Sequence, residues 1–338
     1  MRYHLMESKD IRMNLATEEY LMDHANVDEP LLLLYIQEPC VIIGRNQNVY
    51  EEINLRYLRA HRIVLTRRTS GGGAVYDDLG NMSFSFVTQK NATTFGDYQG
   101  VTQPILEALH RMGATQATSG GRNDLYIEGR KFSGNAMYTK NGRTYSHGTL
   151  MYDVDVSVLD QLLTVAKEKI ASKATQSVRK NVTNVRPYLD AKWQKLTTEE
   201  FREQLLCELY QVTKLTDISD KQLLLTAEDR QAIQVLFDEK YANDQWIYGE
   251  TPDFDRHMRT RIPNVGIVDV KMATQAGKIT SIHFSGDFFG VLPIEQLEQA
   301  MIGLPFVYET VQAFLATQPL EEYILHFTKQ ACLDLLFD

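Results

Sequence analysis

Residues 123–155, NDLYIEGRKFSGNAMYTKNGRTYSHGTLMYDVD, constrain the fold more than any other part of the chain. Two breaks, EGRK and KNGR, interrupt sequence that otherwise suits strands, and their residues are those of tight turns. Three successive strands are predicted here. NMSFSFVTQ (81–89) alternates Met82, Phe84 and Phe86 with Asn81, Ser83 and Ser85, which predicts a half-buried strand. LLLLYI (31–36) and VIIG (41–44) are apolar and partly β-branched, with a Pro-containing bend between them, and read as paired strands. LLLLYI is far too short to cross a bilayer.

Helical spacing is found in MNLATEEYLMDHA (13–25), INLRYLRAHR (53–62), YQGVTQPILEALHRMG (98–113), VSVLDQLLTV (156–165), TEEFREQLLCELYQVT (198–213) and AEDRQAIQVLFDEKYA (227–242). IVLTRRT (63–69) reads as a strand and SKATQSVRKNVTNV (172–185) as a long loop. DQWIYGETPDFD (244–255) is rich in Gly, Pro and Asp and reads as a linker. Beyond it, MRTRIP, GIVDVKM and GKITSIHFSG read as three strands followed by helices. The expected division is a first domain at 1–245, a linker at 246–255 and a small α+β domain at 256–338.

The 338 residues carry 35 basic and 44 acidic side chains, a net charge of −9, which argues against a general nucleic-acid binder. Cys40, Cys207 and Cys332 are far apart and form no CxxC pair, so a reducing compartment without a disulfide framework is expected. The histidines include no HxxxH or HExxH pair, which disfavours a structural zinc site. The first residues lack a charged region followed by an apolar one, so no signal peptide is expected, and neither is membrane attachment.

Residues 67–81 read RRTSGGGAVYDDLGN. The run is no P-loop, because GxxxxGK[ST] is absent, and no dinucleotide fingerprint, because GxGxxG is absent. It reads either as a turn or as an anion-binding nest flanked by Arg67, Arg68 and Ser70. In GRNDLYIEGRKFSGNAMY (121–138), Lys131 enters an otherwise uncharged strand and Asp124 opens the strand before it. Lys131 reads either as an ordinary edge-strand lysine or as a cation that holds an anionic substrate. A carboxylate on the adjacent strand suits a metal-bound nucleotide.

RRTSGGGAVYDDLGN, GRNDLYIEGRKFSGNA, SHGTLMYDVD and SVRKNVTN together resemble the motifs of lipoate–protein ligases, in family order, and NLATEEY and IIGRNQN also fit. The resemblance covers residues 13 to about 185, and the tail is similar to the family's accessory domain. It implies a two-domain α/β (α+β) protein. The catalytic domain would be of the class II biotin/lipoyl ligase type, with mixed sheets and helices. The implied activity uses ATP and Mg²⁺ to convert lipoate to lipoyl-AMP with release of pyrophosphate. The lipoyl group then passes to a lysine of a lipoyl acceptor domain, either a 2-oxoacid dehydrogenase acyltransferase subunit or the glycine cleavage H protein.

By the same resemblance, Lys131 is the central catalytic lysine. Arg68, Gly73, Ala74, Val75, Tyr76, Asp124, Ser177, Arg179 and Val182 are expected at the nucleotide, with Asp124 also at the metal. Ser70, Gly71, Gly72, Gly73, Asp77 and His147 are expected at the lipoyl group. Asp77 stands where family members often have His. A cytoplasmic monomer is expected. An ATP-independent octanoyl or lipoyl transferase of the same fold is the alternative; some of these use a cysteine thioester, and this chain has no cysteine between 41 and 206. Arg56, Arg59, Arg62 and Arg67 are candidates for a basic face toward an acidic acceptor, or else a solvated helix face.

Overall fold

The computed structural model describes residues 1–90, 95–162, 181–249, 254 and 256–337. Contacts divide the chain into two compact units. The first comprises Met1–Ile42, Tyr50–Arg67 and Val75–Ile247; the second comprises Ile43–Val49, Arg68–Ala74 and Tyr248–Asp338.

In the first unit the strands are β1 (Arg2–Leu5), β2 (Leu31–Tyr35), β3 (Cys40–Ile43), β4 (Val64–Arg67), β5 (Val75–Asp77), β6 (Asn81–Gln89), β7 (Thr118–Gly120), β8 (Asp124–Ile127), β9 (Arg130–Lys140) and β10 (Arg143–Met151). The helices are α1 (Ile11–His24), α2 (Val49–Glu52), α3 (Leu55–His61), α4 (Tyr98–Arg111), α5 (Leu159–Leu162), α6 (Thr198–Tyr210), α7 (Ala227–Leu236) and α8 (Asp244–Tyr248). Seven strands form one sheet in the order β1-β2-β6-β10-β9-β8-β7. β1 is parallel to β2, and the β6–β10, β10–β9 and β9–β8 pairs are antiparallel. The three strands expected in 123–155 are β8, β9 and β10, with Glu128 and Gly129 and then Asn141 and Gly142 at positive φ in the two turns. Glycine tolerates that region at no steric cost, and Asn better than most residues.

Two sequence expectations change here. The apolar runs 31–36 and 41–44 do not pair. β2 lies between β1 and β6, while β3 lies between β4 and β5 in a separate three-stranded sheet. The Pro-containing bend carries the chain from one sheet to the other rather than closing a hairpin. β6 is also more than half-buried. Met82, Phe84 and Phe86 pack into the core with α4 and α6, and Asn81, Ser83 and Ser85 on the opposite face are buried as well. That second face lies toward α1, whose Leu15 and Met22 join Leu33, Val87 and Tyr145 in a second core. The alternation therefore records two buried faces, one apolar and one polar.

Local chemistry fixes the helices. Asp10 accepts from the Arg12 amide at the start of α1. Thr197 with Glu200, and Thr226 with Asp229, form reciprocal capping boxes at α6 and α7. α7 was expected to run on as one α-helix, but it widens into a π-turn at Phe237–Tyr241. That widening aims Lys240 and Tyr241 at Glu19 of α1, with the Lys240 ammonium 2.7 Å from one oxygen.

In the second unit, β11 (Arg256–Ile262), β12 (Gly266–Gln275) and β13 (Lys278–Gly286) form an antiparallel sheet. Val268, Val270 and Phe284 pack on α9 (Ile294–Met301), α10 (Tyr308–Leu315) and, beyond α11 (Leu320–Tyr323), α12 (Lys329–Phe337). The stretch read as a linker opens inside α8, and residues 250–253 and 255 lie outside those described. Among the described residues, no helix is long and apolar enough to cross a membrane.

Candidate active site

Lys131 is the second residue of β9, just past the β8–β9 turn. The β8–β9 register shifts between Leu125 and Tyr126, and the Lys131 side chain lies over Gly134 of its own strand. Its ammonium sits 2.9 Å from Asp124 Oδ1, a close ion pair rather than a directed hydrogen bond. The other carboxylate oxygen accepts from the Tyr126 hydroxyl at 3.1 Å. Burial, reinforced by the Asp124 charge, pushes the Tyr126 phenol up to about 12, so it donates throughout the neutral range. Gly134 makes room for the pair: a Cβ there would lie 2.8 Å from the Lys131 nitrogen. The ammonium remains partly open, with 34% of the side chain exposed. The Lys131 carbonyl accepts from the Thr183 amide at 2.9 Å, and Val182 bridges to Lys131. Ser177 and Arg179 lie outside the described residues.

Val75, Tyr76 and Asp77 form β5, opposite Ile42, Val41 and Cys40 of β3. Asp77 is 1% exposed, and its carboxylate accepts from the Gln37 side-chain amide at 2.8 Å. The same nitrogen donates to Ser83 Oγ at 3.1 Å. The acid that stands in place of the family's His is thus solvated by a glutamine inside the fold. His147 of β10 directs Nδ1 at both oxygens of Glu18, at 3.0 and 3.1 Å, and both residues are buried. Sequence reasoning singled out His147 and missed Glu18 and Gln37; the signal available was acidic and amide residues inside otherwise apolar elements.

The glycine loop lies in the second unit. The Arg68 guanidinium folds back along it, donating to Ser70 Oγ at 3.1 Å and to the carbonyls of Gly71 and Gly73 at 2.8 Å each. The Gly72 amide donates to the Phe288 carbonyl at 3.1 Å. A Cβ on Gly71 would fall 2.2 Å from that same carbonyl oxygen, and one on Gly72, at φ +96°, would strike the Phe289 ring at 2.8 Å. Two of the three glycines therefore have an intramolecular reason. Beside Gly73 the nearest atom to a built Cβ is 4.0 Å away, and Gly73 and Ala74 are half-buried.

One docking expectation is overturned. Arg67 is 5% exposed, and its guanidinium donates to the carbonyls of Trp246 and Ile247 at 2.9 Å. The Trp246 indole returns a hydrogen bond to the Arg67 carbonyl at 2.8 Å. Arg67 braces α8 and offers nothing to a partner, whereas Arg56, Arg59 and Arg62 are exposed. All three cysteines are buried. Burial, with Asp77 directly opposite, pushes the Cys40 thiol well above its ordinary range, the reverse of what a nucleophile needs.

Comparison with known proteins defines the class. Residues 10–210 match the family described as "Lipoyl protein ligase A/B catalytic domain", and residues 251–336 match "Bacterial lipoate protein ligase C-terminus". The chain belongs to the lipoate–protein ligase family and is an enzyme. It is 39% identical over 328 residues to the lipoate-protein ligase LplJ of Bacillus subtilis, covering 97% of each chain. It is 38% identical to a lipoate–protein ligase of Streptococcus pyogenes, over 96% of this chain and 94% of the relative. Among solved structures it is similar to lipoate-protein ligase A bound with ATP, with TM-score 0.58 and 26% identity, over 73% of this chain and 98% of that one. P. falciparum LipL1 in complex with lipoate shares the fold, with TM-score 0.74 and 21% identity, over 94% of both chains.

Proposed function

We propose that this ligase is ATP-dependent and works through lipoyl-AMP, with Lys131 as the catalytic lysine. The observation that carries the reading is the Lys131–Asp124 pair on the bare face of Gly134, a cation held by one exchangeable carboxylate. In the first step a carboxylate oxygen of lipoate attacks the α-phosphorus of ATP. The new P–O bond replaces the one to the β-phosphate, and pyrophosphate leaves. Lys131 orients the carboxylate and offsets the charge that builds on phosphorus. A Mg²⁺ held mainly by ATP phosphates needs only one or two protein carboxylates, and Asp124 is suited to supply one. When bound, that ion neutralises charge on the departing pyrophosphate.

In the second step an acceptor lysine amine attacks the acyl carbon, AMP leaves and the amine loses one proton. Near pH 7 an ordinary lysine is almost wholly protonated, a deficit of roughly 4–5 kcal/mol. The positive charge of Lys131 disfavours the protonated form of the incoming amine. The remaining expectations follow the family. Arg68, Gly73, Ala74, Val75, Tyr76, Ser177, Arg179 and Val182 serve the nucleotide, and Ser70, Gly71 to Gly73, Asp77 and His147 serve the lipoyl group. The acceptor is a lipoyl domain. An archaeal relative of similar fold was solved as a bi-partite lipoate protein ligase studied with its E2 lipoyl domain, at TM-score 0.60 and 28% identity.

Pyrophosphate release from ATP and Mg²⁺ tests this, with and without lipoate, for wild type and Lys131→Ala. Lipoate-dependent release that the variant loses is expected. Acyl transfer from a lipoyl donor with no pyrophosphate release would overturn the reading in favour of an ATP-independent transferase.

A further inference from the structure

A β-bulge builds the corner in which Lys131 sits. Leu125 lies opposite Ser133, but the next residue, Tyr126, lies opposite Lys131, so Phe132 is an extra residue in β9. In an unbroken strand Lys131 and Gly134, three residues apart, would point to opposite faces. The bulge brings them to one face, while Leu125, Ile127 and Phe132 pack into the core on the other. Asp124, opposite Gly134, and Tyr126, opposite Lys131, share the lysine's face.

Tyr126 has a seat of its own there. A Cβ on Gly120 would fall 3.0 Å from its ring, and one on Gly121 would fall 3.2 Å from its hydroxyl. The two oxygens of Asp124 are held in different ways. Oδ2 accepts a directed hydrogen bond from the phenol at 3.1 Å. Oδ1 lies 2.9 Å from the Lys131 ammonium but accepts no directed hydrogen bond among the described residues. A hydrogen bond to a carboxylate shares its negative charge. The acid that faces Lys131 is therefore a weakened partner. To hold a substrate carboxylate the ammonium has to loosen from Asp124, and a weakened partner releases it more readily.

We infer that Tyr126 is a positioning residue for the activation step: by holding Asp124 Oδ2, it keeps the acid's grip on Lys131 loose enough for the ammonium to pass to the anionic substrate. The inference rests on the ligase reading, in which Lys131 meets that substrate, and deepens it. Packing against the two glycines does not require the hydroxyl, since a phenylalanine ring would fill the same seat.

The test follows Lys131 in the unliganded enzyme and in turnover. Acetylation of Lys131 by acetic anhydride at fixed pH is timed by mass spectrometry for wild type, Tyr126→Phe, Asp124→Asn and the double variant. In Tyr126→Phe, Asp124 should hold the ammonium harder, and Lys131 should acetylate about 10-fold more slowly, the lower end expected for a hydrogen bond to a charged group. With Asp124→Asn no carboxylate is left, and adding Tyr126→Phe should change nothing. Lipoate-dependent pyrophosphate release by Tyr126→Phe should fall in kcat by a similar factor. A role of the ring in packing alone would act in both backgrounds. Equal effects of Tyr126→Phe with and without Asp124, or unchanged or faster acetylation, overturn the inference. So does wild-type pyrophosphate release by Tyr126→Phe where Lys131→Ala has lost it. If Lys131→Ala releases pyrophosphate like wild type, it is the proposed function that fails.

Discussion

Gly72 donates its backbone amide to the carbonyl oxygen of Phe288, so the glycine loop takes its shape from the far end of the chain. Gly71 lies against the same oxygen, and its φ is not in the left-handed region, so only the close approach requires glycine there. Gly71→Ala must push the Phe288 backbone aside, at a cost of about 1–3 kcal/mol typical of overpacking. Gly73→Ala, with open space beside it, should fold as stably as wild type. Thermal melts of the two variants side by side check this; equal melting temperatures would contradict it.

Arg67 gives a second expectation. Arg67→Met keeps much of the packing but strips the donors from the carbonyls of Trp246 and Ile247. Leaving buried acceptors unsatisfied costs about 1–3 kcal/mol, and urea unfolding should show that loss. Arg59→Ala, on an exposed side chain, should leave the urea midpoint within experimental scatter.

Cys40→Ala should retain lipoate ligation at close to the wild-type rate. The thiol is wholly buried and held protonated, so it neither reacts nor touches solvent. Native enzyme should likewise resist alkylation by iodoacetamide at this position, read by mass spectrometry. Loss of turnover in Cys40→Ala with an unchanged melting temperature would point to a thioester route.

His4 makes stability depend on pH. Its Nδ1–H donates to the Leu223 carbonyl at 2.9 Å, and burial holds the imidazole below the usual histidine range despite that bond. The unfolded chain therefore takes up the proton first, and the contribution from His4 is present above about pH 6.5 and lost as pH falls below it. Between pH 7.5 and 5 the wild type should lose more stability than His4→Asn, which keeps a donor but does not titrate. Parallel stability profiles for the two proteins would show that His4 carries none of the dependence.

Much of the main sheet is legible in the chain because turn chemistry and alternation are local. EGRK and KNGR mark the turns flanking β9, and Lys131 stands out as a charge entering an apolar strand. Sheet membership is not local: nothing in 31–44 says that β2 and β3 part company, since each is apolar on both faces. The role of Arg67 was equally hidden, because its partners are backbone carbonyls near residue 247, and carbonyls leave no mark on sequence. Ser83 and Ser85 were visible but read as solvent-facing. β6 is covered on both sides, so the polar half of its alternation is buried along with the apolar half.

The seat of the glycine loop has a consequence for dissection of the enzyme. Cut between Tyr248 and Arg256, the chain would leave Arg68–Ala74 on one fragment and Phe288, the acceptor for the Gly72 amide, on the other. The first fragment alone would carry every loop residue yet lack the backbone partner that shapes the loop. Mixing the two pieces should restore it, so the return of an ordered loop would measure how tightly the halves recognise each other.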